Sequence, residues 1–103
     1  MQRIEKLKSF LIENPNDSFV QHALALEYIK TGDDEQAKKL FENILANDPG
    51  YTGSYYHLAK LFERTGENEK AVACYKTGMK AAKQAGDQHA FNELKSAYEE
   101  FIF

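Results

Sequence analysis

Catalysis or metal binding needs side chains that ligate, attack or exchange protons, and this chain has few. Three histidines (His22, His57 and His89) and a single cysteine, Cys74, stand among 16 acids and 13 bases in 103 residues. Histidines lining one surface would permit a metal site or a pH switch. Nothing sets these three at ligand spacing, so exposed or half-buried surface histidines are the better reading. Cys74 lies between Ala71 and Tyr75, where a small packing residue is expected rather than a reactive thiol. The run Asp33, Asp34, Glu35 fits a helix start, where acids meet the positive end of the helix dipole, better than a catalytic pair. The chain carries no glycine-rich phosphate loop, H-E-x-x-H, paired-cysteine spacing or nucleophile elbow. The expectation is a protein with no catalytic residues, no cofactor and no metal, and therefore not an enzyme.

Composition narrows the class further. Hydrophobic residues at 43% and aromatics at 13% suffice for a core in one domain. A net charge of −3 argues against a protein that tracks a nucleic-acid backbone. One cysteine cannot form an intramolecular disulfide. The longest apolar run near the start is Phe10-Leu11-Ile12, too short for a secretory signal, and no stretch approaches a membrane span. A cytoplasmic protein with no membrane and no nucleic-acid partner is expected. With only two prolines and six glycines, long regular elements are possible.

Those elements follow from an internal repeat. Shifted by 34 residues, Leu24 falls on Leu58, Ala25 on Ala59, Thr31 on Thr65, Gly32 on Gly66, Glu35 on Glu69 and Ala37 on Ala71. Tyr28 with Phe62, Lys30 with Arg64, Phe41 with Tyr75 and Leu45 with Met79 add close substitutions. The same shift takes Leu7 to Phe41, Phe10 to Ile44, Leu11 to Leu45 and Pro15 to Pro49. A fixed period of this size marks stacked supersecondary units. Leu24, Ala25 and Tyr28 share one side of a helix, and the small residue lets a neighbouring helix approach closely. Gly32 and Gly66 suit helix ends, and the acids after them suit the next helix start. Ala37 with Phe41, and Ala71 with Tyr75, form the matching face of a second helix, which ends before Pro15 or Pro49. The unit is an antiparallel helical hairpin.

At this point the chain resembles the tetratricopeptide repeat family, whose 34-residue pattern is W-x2-L-G-x2-Y, A-x3-F, P. Leu24-Ala25-x2-Tyr28, Gly32, Ala37-x3-Phe41 and Asp48-Pro49 match in one copy; Tyr55-x2-Leu58-Ala59-x2-Phe62, Gly66 and Ala71-x3-Tyr75 match in the next. The resemblance implies an all-α, right-handed superhelix (an α-solenoid) of antiparallel hairpins with about six helices. Within one domain it divides the chain into an N-terminal half repeat (1–15), repeats at 18–51 and 52–85, and a capping helix at 88–103.

Departures from the pattern carry further expectations. Gln21 replaces the tryptophan, and Ser18-x2-Gln21 has the spacing of a capping box. Lys83 replaces the second proline, so that helix can run from about 69 to 85 before Gly86-Asp87 ends it. Gly78 inside it points to close helix contact, since glycine costs about 1 kcal/mol against alanine there. Leu7, Phe10 and Leu11 are expected as the buried face of the first helix, near 2 to 13. Phe91, Leu94, Ala97, Tyr98 and Phe101 are expected as that of the last, near 88 to 102.

The resemblance also implies where a partner would lie, along a concave groove of first helices. The candidates are Phe19, His22, Leu26, Ile29 and Lys30 in one copy and Tyr56, His57, Lys60, Glu63 and Arg64 in the next. Asn92, Ser96 and Glu99 of the cap could close the far end. Leu26 and Ile29 are apolar beyond the need of the packing face, so they either form an exposed patch or are covered by the terminal helix and long side chains. Lys60 and Arg64, one turn apart, either hold an acidic group or form a solvated basic edge. Members that clamp a terminal carboxylate use lysine and asparagine where this chain has His22, Leu26 and His57, so a mixed apolar–basic groove is expected instead. Two functions fit: an interaction module binding a peptide or helix of another protein, or a unit that forms homodimers through Leu26 and Ile29 or through Phe101-Ile102-Phe103.

Overall fold

Three glycines punctuate the chain. Gly32, Gly66 and Gly86 have φ of +82°, +79° and +70°, a left-handed conformation open to glycine because it has no Cβ. Around each, two backbone bonds satisfy the last carbonyls of a helix. Gly32 N–H donates to Ile29 C=O at 3.1 Å and Asp33 N–H to Tyr28 C=O at 2.9 Å, and the pattern recurs at Gly66 and Gly86. The acid that follows caps the next helix at two of the three turns. Asp33 Oδ1 accepts from Gln36 N–H at 3.2 Å, and Asp87 Oδ1 from Ala90 N–H at 3.0 Å. Glu67 instead accepts from the Thr65 hydroxyl at 2.9 Å.

The computed structural model describes residues 2–103. They form α1 (Gln2–Glu13), α2 (Ser18–Lys30), α3 (Asp34–Asn47), α4 (Gly53–Arg64), α5 (Asn68–Ala85) and α6 (Gln88–Ile102), with no strand among the described residues. The extension of α5 through Ala85 and the place of α6 agree with the sequence reading. The chain divides into two compact units, one ending at Asp48 and one beginning at Pro49.

In the first unit α2 packs on both α1 and α3. Leu24 and Ala25 of α2 and Ala37 and Phe41 of α3 are buried, as their spacing requires. The face of α1 differs from expectation. Ile4 is its buried residue, Leu7 and Leu11 are half-buried, and Phe10 is 47% exposed. The inward stripe therefore runs Ile4-Leu7-Leu11, which keeps to one side of a helix and leaves Phe10 off its edge. The capping box is also absent. Asp17 is the N-cap of α2 and accepts from Val20 N–H at 3.0 Å, while Ser18 begins the helix. Gln21 turns inward instead: it is 3% exposed, donates to Pro15 C=O at 2.7 Å and accepts from Asn43 Nδ2 at 2.9 Å.

The second unit repeats that contact with different chemistry. Tyr55, one period after Gln21, donates its hydroxyl to Pro49 C=O at 2.6 Å. An amide and a phenol thus serve the same carbonyl six residues upstream, which explains how glutamine replaces the aromatic of the pattern. Leu58, Ala59 and Phe62 of α4 and Ala71 and Tyr75 of α5 are buried, and α5 packs on both α4 and α6. Cys74 is buried and its Sγ lies 3.4 Å from Tyr55 C=O, a packing role for a small residue.

The turn into α6 carries a pH-sensitive tie. The Thr52 hydroxyl donates to Asp87 Oδ2 at 2.9 Å. The Ala90 N–H first, and then this hydroxyl, hold the Asp87 carboxyl below the usual carboxylate range. A carboxylate whose folded pKa is lowered contributes stability above its unfolded pKa and loses it as pH falls through the folded value. The urea midpoint is expected to drop on acidification below about pH 4, and Asp87→Asn to show a smaller drop. Equal acid sensitivity in the two proteins would mean that these bonds contribute nothing.

Candidate partner-binding faces

On the first unit the candidate residues are brought together by α2. Phe19, His22, Leu26 and Lys30 follow one another at three- and four-residue steps, so they share a face. With Arg3 of α1, Ala23 and Glu27 they line an open depression of about 440 Å³. Phe19 stands at 72% exposure, while Leu26 and Ile29 are half-buried rather than an exposed patch, and Ile29 lies outside the depression. His22 meets the buried Phe41 ring edge-on, with centroids 5.4 Å apart, which fixes the imidazole as part of the wall.

Charge at this site is organised around a residue that sequence reading passed over. Glu27 Oε2 lies 3.3 Å from both Arg3 Nε and Lys30 Nζ. The Glu27–Lys30 step is legible as an i,i+3 pair. The Arg3 contact is not, because it joins two helices. One acid between two exposed cations leaves this rim net positive.

On the second unit, α4 carries Tyr56, His57, Lys60, Glu63 and Arg64. The rings of Tyr56 and His57 meet at 89° with centroids 5.5 Å apart. Lys60 Nζ stands 5.8 Å from the centre of the Tyr56 ring and 3.8 Å from Glu63 Oε2. The buried Tyr75 donates its hydroxyl to the same Glu63 oxygen. Lys60 is thereby engaged with Glu63 on its own helix, and Arg64 is exposed at the end of α4. Burial pushes the pKa of His57 below the usual imidazole value, with Glu93 opposing that shift. His89 is exposed on α6. Among the described residues no three of His, Cys, Asp and Glu gather as a cation site, and no helix is long and apolar enough to cross a membrane.

A family model for the tetratricopeptide repeat matches residues 28–98. The chain belongs to the tetratricopeptide repeat family. Its repeats resemble those of a tetratricopeptide repeat domain protein from Salinibacter ruber. In the crystal structure of that domain the identity is 37%, the match covers 84% of this chain and 96% of that one, and the TM-score is 0.80. Its solution structure gives 38% identity, 84% and 88% coverage, and a TM-score of 0.81. A solution structure of a Bordetella parapertussis protein, at 22% identity, covers 96% of this chain and 86% of that one with a TM-score of 0.82, a likeness of fold. No curated protein matches the chain. Tetratricopeptide repeats generally serve as protein–protein interaction modules and as non-catalytic scaffolds.

Proposed function

We propose that this tetratricopeptide repeat protein binds a partner polypeptide through the α2 face of its first unit. The observation that carries the reading is Phe19, a large apolar side chain 72% exposed beside the depression walled by His22 and Leu26. Apolar surface held open beside half-buried apolar neighbours gains from being covered, and aromatic anchors carry much of an interface's energy. Arg3 and Lys30 at the rim favour a partner segment that pairs an apolar residue with an acid. Ile29, half-buried on the same helix, would add apolar surface beside that face. On the second unit Tyr56, His57, Lys60, Glu63 and Arg64 form a further contact face, where the Tyr56 and His57 rings and the Arg64 guanidinium would meet the partner.

The test is a selection of random peptides displayed on phage against the wild-type chain. Selected peptides are expected to bind Phe19→Ser at least tenfold more weakly, with helicity by circular dichroism unchanged. Peptides that bind both proteins alike, or no enrichment at all, would refute this use of the α2 face.

A further inference from the structure

The second unit holds a cleft that the repeat pattern does not call for. Lys83 stands where the 34-residue shift would place a proline, so α5 continues through its last turn. That turn, with Ala81 and Ala85, faces Pro49, Gly50 and Tyr55 across a space of about 380 Å³, with Lys80 at the edge. The size is that of a small-ligand pocket, and most of these walls are apolar. Its α5 wall is basic although the chain is net acidic, while Asp48 precedes the Pro49–Gly50 loop and Asp87 follows α5. From 70 to 86 there are four lysines and no acid, in a chain of net charge −3. Lys70 is spoken for by Glu67 at 3.3 Å, and Lys83 lies over the Phe91 ring at 5.5 Å. Lys76 and Lys80, one turn apart, are exposed and have no ion pair among the described residues.

The same unit presents the complementary chemistry at the end of α6. Phe101 is half-buried with its ring 6.4 Å from Tyr75, which anchors the helix. Its neighbours Ile102 and Phe103 point outward, at 41% and 97% exposure, beside the exposed acids Glu99 and Glu100. Phe103 is too exposed to occupy its own molecule's cleft.

We propose that the cleft between the Pro49–Gly50 loop and the last turn of α5 receives Phe103 from a second copy of this chain, with Glu99 and Glu100 of that copy facing Lys76 and Lys80. Two copies can fill each other's clefts about a two-fold axis, or join head-to-tail with one knob and one hole left open at the ends. In either arrangement each contact joins one knob to one cleft. This contact is separate from the α2 face, and its failure would leave the peptide-binding reading untouched.

Sedimentation velocity from low micromolar to millimolar concentration tests it. The wild-type mass is expected to climb to that of a dimer or beyond. Phe103→Glu and Lys80→Glu, both at exposed positions, are each expected to weaken association at least tenfold while keeping wild-type helicity. Mixed in equal amounts, the two variants are expected to form a dimer and nothing larger, since one supplies a working cleft and the other a working knob. Ile12→Ser, which removes an apolar side chain 81% exposed on α1, is expected to leave the association as it is. A wild-type monomer at all concentrations, association that survives both charge variants, a mixture that stays monomeric, or loss of association in Ile12→Ser would each overturn the proposal.

Discussion

Tyr75→Ala is expected to cost about 4 kcal/mol and to lower the thermal midpoint by roughly 20 °C. Tyr75 has no exposed surface, and its ring lies among those of Tyr98 and Phe101, with centroids 6.1 and 6.4 Å away. Truncation removes a large side chain at the middle of three packed helices and opens a cavity that rigid neighbours cannot fill. The companion variant Tyr75→Phe separates ring from hydroxyl. It keeps the packing and removes only the bond to Glu63, so its cost is about 1 to 2 kcal/mol. The hydroxyl is a dependable donor, because burial first and the Glu63 acceptor second push its pKa above the usual phenol value. Urea unfolding of the two variants checks both figures. A loss below about 1 kcal/mol for Tyr75→Ala would contradict the packing described here.

Gly78→Ala is the second large effect, and its sign opposes helix propensity. In an exposed helix interior the change stabilises by about 1 kcal/mol. At Gly78 an added Cβ would lie 2.6 Å from Tyr55 Cβ, 2.9 Å from Tyr55 Cγ and 3.0 Å from Leu94 Cδ1. Tyr55 Cβ and Cγ sit near the backbone of α4, and the ring is held by its hydroxyl bond to Pro49, so they cannot swing aside. Overpacking of this kind costs about 3 kcal/mol, which leaves a net loss of about 2 kcal/mol. The chemical-unfolding midpoint of Gly78→Ala against wild type decides it. An unchanged or raised midpoint would mean that α5 can move away from α4 at little cost.

Much of this fold is legible in the sequence itself. The 34-residue shift located both hairpins, because each glycine must adopt positive φ and each small–large pair must face a neighbouring helix. Gly78 and the extended α5 were legible for the same reason: a glycine kept within a helix, and a proline missing at Lys83, are local departures with local consequences. These features depend on residues close together in the chain or repeated at a fixed interval.

Contacts between residues far apart in sequence were decided by tertiary packing. Periodicity placed Phe10 on the inner face of α1, but Ile4 took that position, since the rotation of a terminal helix is set by what it packs against. Ser18 and Gln21 had capping-box spacing, but Gln21 gained more by serving Pro15 and Asn43 in a buried setting. Leu26 and Ile29 were half-covered, leaving Phe19 as the open apolar residue of α2. Arg3 reached Glu27, and Tyr75 reached Glu63, across helix boundaries that no spacing rule spans. Backbone punctuation and helix faces are properties of the chain; exposure and the pairing of charges belong to the packed surfaces.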